Sequence, residues 1–261
     1  MKPMYNKIIS VLILLLLSGL AGAEQVKDQP KQLLFKNVNI FDGKNETLKM
    51  GHDVLIEGNL IKQIGKGLKA GNGASVVDGN GRTLMPGLID MHTHLMFRYG
   101  VAVMRSDFDA QAVGAAAMET LQLYMKMGYN TVRDVGGNSL GLARNIAAGR
   151  LKGPRIYSSG GAISPISGHN DLAMFSEVPG EDVFTRRGDT HLITGPVEAR
   201  EATRKLLRGG ASQIKIMVGG GVASDFDPLY ADTMCEDEIR AIVDAAADFG
   251  TYACAHAYTD S

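Results

Sequence analysis

The chain has 261 residues, of which 45% are apolar and 21% charged, a balance ordinary for a globular protein of one or two domains and unlike that of a disordered chain. A formal net charge of −1 with no long run of like charges provides no field for gathering nucleic acid or docking on an acidic membrane, so neither is expected as a partner. Two cysteines, Cys235 and Cys254, are too few for a disulfide scaffold and lack the paired spacing of a zinc knuckle.

Residues 1–23 read as a secretory signal peptide. Lys2 and Lys7 flank a short polar start, residues 8–17 are apolar apart from Ser10, and Ala21-Gly22-Ala23 supplies small residues for cleavage. The uncharged stretch is shorter than the ~20 residues a bilayer core requires, and no cysteine follows it to carry a lipid. The expected protein is exported, periplasmic or secreted, with no stable membrane anchor after cleavage. In that compartment Cys235 and Cys254 could pair, although Cys254 lies in an apolar run that suits burial.

Residues 24–85 carry short apolar alternations separated by turn signals at Asp42-Gly43, Glu57-Gly58-Asn59 and Asp78-Gly79-Asn80-Gly81, which predicts a small β-rich module. Residues 86–261 change texture. Strands are predicted over 87–91, 130–135, 155–159, 212–218 and 252–256, alternating with helices over 110–127, 140–148, 197–207 and 237–249, and a long loop runs from the third strand to about Thr194. Repeated strand-then-helix order implies a parallel sheet, either a barrel or a doubly wound sheet. No G-x-G-x-x-G opens a helix after the first strand, although Gly219-Gly220-Gly221 follows the fourth.

The chemistry-bearing residues gather at strand ends. His92 and His94 close the first strand two residues apart, so they share a face and could converge on one ion; H-x-H alone is also common among unrelated residues. In Gln213-Ile214-Lys215-Ile216-Met217 the isoleucines take the face beneath the helices, which leaves Lys215 beside Met217 on the inner face. An interior ammonium is costly, so Lys215 must reach solvent, pair with an acid, lose its proton or be altered, for example to a carbamate that bridges two metals. His256 ends the fifth strand among small residues.

Pro86-Gly87-Leu88-Ile89-Asp90-Met91-His92-Thr93-His94 resembles the signature of the amidohydrolase superfamily. Asn130-Thr131-Val132-Arg133-Asp134-Val135-Gly136-Gly137, Ser167-Gly168-His169-Asn170-Asp171, the stretch 213–221, and His256-Ala257-Tyr258-Thr259 narrow the resemblance to its imidazolonepropionase-related branch, which holds exported Xaa-Pro dipeptidases and similar amidases. The implied fold is α/β: a distorted (β/α)8 TIM barrel beside a small β-sandwich, of which 24–85 would be the N-terminal part and 86–261 barrel strands one to five. By motif match, His92 and His94 would bind one metal, a carbamate on Lys215 would bridge, and His256 would bind the second; two divalent ions, zinc for preference, are implied.

A bridging hydroxide would then attack the carbonyl of a small amide, such as a dipeptide or an N-acyl amino acid. His169 would contact the substrate or its tetrahedral oxyanion, with Ser167 and Asn170 standing where the branch more often has glycine. Tyr230 would bind substrate, and Asp134 would shape the pocket or hold a loop. The resemblance also calls for a histidine after strand six and an aspartate after strand eight, neither of which has a position here, so a fragment truncated after barrel strand five and inactive alone is expected. It leaves room for a homo-oligomer at full length. A non-catalytic metal-binding or regulatory protein and a mononuclear deaminase or cyclic-amide hydrolase of the same superfamily are the alternatives, the latter having no need of a bridging lysine.

Overall fold

The computed structural model describes residues 31–259 and divides into two compact units at Pro86/Gly87. The signal-peptide reading of 1–23 lies outside the described residues. Among the described residues no helix is long and apolar enough to cross a membrane.

The first unit is a five-stranded sheet. β1 (Gln32–Ile40) pairs antiparallel with β2 (Lys49–Glu57), which pairs with β3 (Leu60–Gly65); on its other edge β1 runs parallel to β4 (Ser75–Asp78) and β5 (Thr83–Leu84). Val38, Ile40 and Val54 cluster on one face with Phe35, Ile56 and Leu84, while Leu34 pairs with Leu55 and both are buried on the other face. A register shift in β1 between Phe35 and Val38 is pinned by Asp53, which accepts from Asn37 N–H at 3.0 Å and Leu68 N–H at 2.9 Å.

The second unit is built on parallel strands. β6 (Leu88–Thr93), β7 (Tyr129–Asp134) and β8 (Arg155–Ser158) form one ladder; β9 (Ala162–Pro165), β10 (Thr190–Ile193), β11 (Ile214–Met217) and β12 (Ala253–His256) form another in the order β10-β9-β11-β12. Ser212 N–H donates to Ser158 O at 2.8 Å, and the Gln213 amide donates to Asp134 O and Tyr157 O, so β11 continues from β8 across the break. Five parallel strands therefore follow one another in chain order, an arrangement consistent with a TIM-barrel-like fold.

Helices cover one side. α1 (Val101–Asp107) and α2 (Ala110–Lys126) follow β6; Asp109 caps α2 by accepting from Gln111 and Ala112 N–H, and Val113, Ala117 and Leu121 are buried at helical spacing. α3 (Leu140–Ala147) follows β7, and α4 (Val183–Arg187) precedes β10. α5 (Pro196–Arg208) starts with proline at its first turn and buries Ala199, Ala202, Thr203 and Leu206. α6 (Glu236–Ala247) opens with three acids that suit the helix dipole, and Glu238 reaches back to accept from Cys235 N–H at 3.0 Å and from Gly195 N–H at 2.7 Å. Ile214 and Ile216 pack beneath α5 and α6 with Leu206, Ala241 and Ile242 in the largest core cluster.

One expectation needs correction. The expected long loop before Thr194 contains β9, α4 and β10. A side chain at Gly161 would sit 2.3 Å from Gly188 O, so only glycine lets β9 lie against the segment leading into β10. Cys235 and Cys254 are both free, one exposed at the entry to α6 and the other on β12, where its thiol donates to Ile214 O at 3.4 Å.

Candidate active site

The C-terminal ends of the parallel strands surround a cavity of about 590 Å³ in the second unit, lined by His92, His94, His169, Lys215 and His256 together with Phe97, Tyr99, Leu172, Met217 and Tyr258. β6 delivers the first two histidines. His92 and His94 present their rings 5.3 Å apart, the two-residue spacing of an extended chain, and Asp90 anchors the strand end by accepting from His92 N–H at 3.0 Å and from Tyr124 O–H at 2.8 Å. β11 delivers Lys215 and Met217 to the cavity while Ile214 and Ile216 face the helices. β12 pairs in register with it, Lys215 opposite Cys254 and Met217 opposite His256. His169, in the segment after β9, stacks on His256 with ring centroids 4.1 Å apart.

Burial lowers the pKa of His92, His94, Lys215 and His256. Burial, followed by the charge of His92, pushes His94 down to about 4, even though its ring keeps surface open to the cavity. Burial also lowers His92, with Lys215 and Arg133 adding repulsion, and lowers His256 beside His169 and Lys215. Lys215, 3% exposed and without an acidic partner among the described residues, is lowered by burial first. The result is three neutral imidazoles and an amine biased towards its free base around one cavity.

These nitrogens carry the lone pairs that a divalent ion needs, and His256 Nε2 is buried with no hydrogen-bond partner among the described residues, an orphan a metal bond would satisfy. Among the described residues, no three His, Cys, Asp or Glu side chains gather closely enough to hold a metal by themselves, so any such centre draws on Lys215 as well.

Two further sequence candidates stand apart from the cavity. Tyr230 is 81% exposed on the turn after β11 and does not line it. Asp134 is fully buried behind the strand ends, accepting from Leu95 N–H at 2.9 Å and from the Ser139 hydroxyl. The site also includes residues that the sequence did not single out. Asp227 and Ser224 both meet His169 Nδ1 at 3.0 Å, and the only sequence signal for them is an Asp-Phe-Asp-Pro cluster a few residues past the three glycines. Phe97, three residues past His94, packs its ring edge-on to that histidine at 6.2 Å.

The model of the amidohydrolase family matches residues 83–261, more than half of the chain. The chain belongs to the amidohydrolase family. Relatives within it include ochratoxinase from Aspergillus niger, 33% identical over 193 residues that span 67% of this chain and 39% of that protein. Among solved structures, this amidohydrolase is similar to a prolidase complexed with N-methylphosphonate-L-proline (33% identity, TM-score 0.80, 88% of this chain and 57% of that one). It is also similar to a Xaa-Pro dipeptidase with methionine bound in its active site (29% identity, TM-score 0.73, 87% of this chain and 57% of that one). The chain thus spans little more than half the length of the solved relatives and less of the curated one.

Proposed function

We propose that this chain carries the metal- and substrate-binding face of a hydrolase that cleaves the C–N bond of a small amide, a dipeptide or an N-acyl amino acid. One observation carries the reading: His92, His94, Lys215 and His256 line a single cavity at the ends of parallel strands, each with its pKa lowered. Active sites of (β/α)8 barrels occupy that face, and we extend the reading to such a barrel with a β-sandwich partner begun by residues 24–85.

In this proposal His92 and His94 would hold one divalent ion and His256 a second, with Lys215, as a carbamate, supplying an anionic oxygen ligand. Zinc is the preferred ion, since imidazole and carboxylate-like oxygen are its usual ligands. Bound metal would lower the pKa of water and polarise the scissile carbonyl. The chain's own residues do the rest. A free-base Lys215 amine is the form that adds to carbon dioxide, forming the N–C bond and releasing one proton. Phe97, Leu172 and Met217 give the cavity an apolar stretch of wall. His169, facing the same space, contacts the bound substrate.

Relatives named as prolidase and Xaa-Pro dipeptidase, and ochratoxinase, support a small amide substrate. Lys215 in the cavity favours the two-metal reading over a mononuclear deaminase. The resemblance also implies a histidine and an aspartate from later strands as members of the full catalytic set. Export through the segment 1–23 completes the proposal.

The test is metal content. Chain reconstituted with zinc in bicarbonate and freed of excess should retain zinc by elemental analysis, and His92→Ala and Lys215→Ala should each lower the retained amount at least tenfold at limiting zinc. Equal retention by both variants would overturn the assignment.

A further inference from the structure

One built arrangement in the cavity wall is not used by the chemistry above. Asp227, 5% exposed on the turn after β11, has both carboxylate oxygens engaged. Oδ2 accepts from Gly221 N–H at 2.7 Å and lies 3.0 Å from His169 Nδ1; Oδ1 accepts from the Ser224 hydroxyl. Ser224 Oγ lies 3.0 Å from the same Nδ1. A carboxylate can only accept, and the single hydroxyl hydrogen of Ser224 is committed to Oδ1, so Ser224 too can only accept from the ring. Both oxygens facing Nδ1 are acceptors, which requires the hydrogen to sit on Nδ1. Nε2 has no hydrogen-bond partner among the described residues, and the ring lines the cavity.

The backbone is shaped for the same purpose. A Cβ on Gly221 would fall 1.9 Å from His169 Cε1 and 2.1 Å from Nδ1. The third glycine after β11 therefore both donates to Asp227 and leaves room for the ring that Asp227 holds.

We infer that Asp227 is a positioning residue that locks His169 in its Nδ1–H tautomer, so that Nε2 offers a lone pair to the cavity. The matching ligand group is a hydrogen-bond donor, such as the N–H of an amide or amine. That use of Nε2 rests on the hydrolase reading; the tautomer does not. A hydrogen bond to a carboxylate outweighs the alternative by about tenfold or more, so about nine-tenths of neutral His169 carries its hydrogen on Nδ1.

The test is nitrogen NMR of the full chain labelled with 15N in its imidazoles, before metal is added and at about pH 8.5, where an ordinary histidine is neutral. His169→Gln identifies the His169 signals by their loss. The expected spectrum shows Nδ1 as the protonated nitrogen and Nε2 as the bare one. Asp227→Asn, whose amide can donate to Nδ1, should raise the Nε2–H share severalfold, to about half or more, whereas Ser224→Ala should leave Nδ1–H dominant. A parent spectrum with Nε2–H dominant, or an Asp227→Asn spectrum identical to the parent, would overturn the inference. If Asp227→Asn does not fold, the parent decides: magnetisation transfer from the Nδ1 proton to the Asp227 carboxyl carbon supports the assignment, and its absence overturns it. Neither result depends on metal retention, so failure of the metal assignment and failure of the tautomer are read separately.

Discussion

Asp134 is the group whose titration should dominate the pH dependence of stability. Its carboxyl is fully buried where β7 ends, and although Leu95 N–H and the Ser139 hydroxyl donate to it, burial outweighs them and pushes its pKa from 3.8 up to about 8. An unfolded chain releases this proton near 3.8, while the folded protein keeps it until about 8. Folding therefore binds a proton between those values. The stabilisation is fully present below pH 3.8 and drains away as pH rises towards 8, at about 1.4 kcal/mol per unit. Across about four units the loss is of the order of 5 kcal/mol, a large share of the 5–15 kcal/mol typical of a folded domain. Asp134→Asn keeps the shape and an oxygen for Leu95 N–H but cannot ionise, at a cost of about 1 kcal/mol for the remade Ser139 contact. Urea midpoints followed by circular dichroism should be similar for parent and variant near pH 4.5, and near pH 8 the variant should be the more stable by several kcal/mol. Parallel curves over that range, or a parent that is the more stable at pH 8, would refute the reasoning.

Other perturbations test separate parts of the structure. Ile242→Ala removes a fully buried side chain from the cluster joining α5, α6 and β11, and should cost about 2–5 kcal/mol in a urea titration. Gly221→Ala must displace the His169 ring; a loss of about 1–3 kcal/mol is expected by thermal unfolding, along with a changed 15N signature for His169. Tyr230→Ala removes an exposed ring and should change stability by less than about 0.5 kcal/mol in a urea titration, so a raised KM for a small amide in a full-length protein carrying the same change would isolate a substrate contact made only when ligand is bound.

What could be read in advance follows from the range of the interactions involved. Strand alternation over 213–217 is local, and it is enough to send Ile214 and Ile216 to the helices and Lys215 and Met217 to the cavity. The spacing of His92 and His94 is equally local. β9 and β10 were hidden within the expected loop, because only the approach of Gly161 to Gly188 O, a contact across 27 positions, shows why the pair is needed.

The His169 contacts mark the same limit at the site itself. The histidine sits in one segment and Asp227 in another, 58 positions away, and no periodicity links them. Three glycines in a row after β11 look like loop punctuation, and as composition they are no more than that. Placed in the fold, the last of them loses its ambiguity: its N–H holds the carboxylate, its missing side chain admits the imidazole, and the two together choose the nitrogen that faces the cavity. A glycine there is thus a condition on the orientation of His169 as much as on the path of the chain, which is why Gly221→Ala and Asp227→Asn, changes of opposite chemical kind, are expected to disturb the same imidazole.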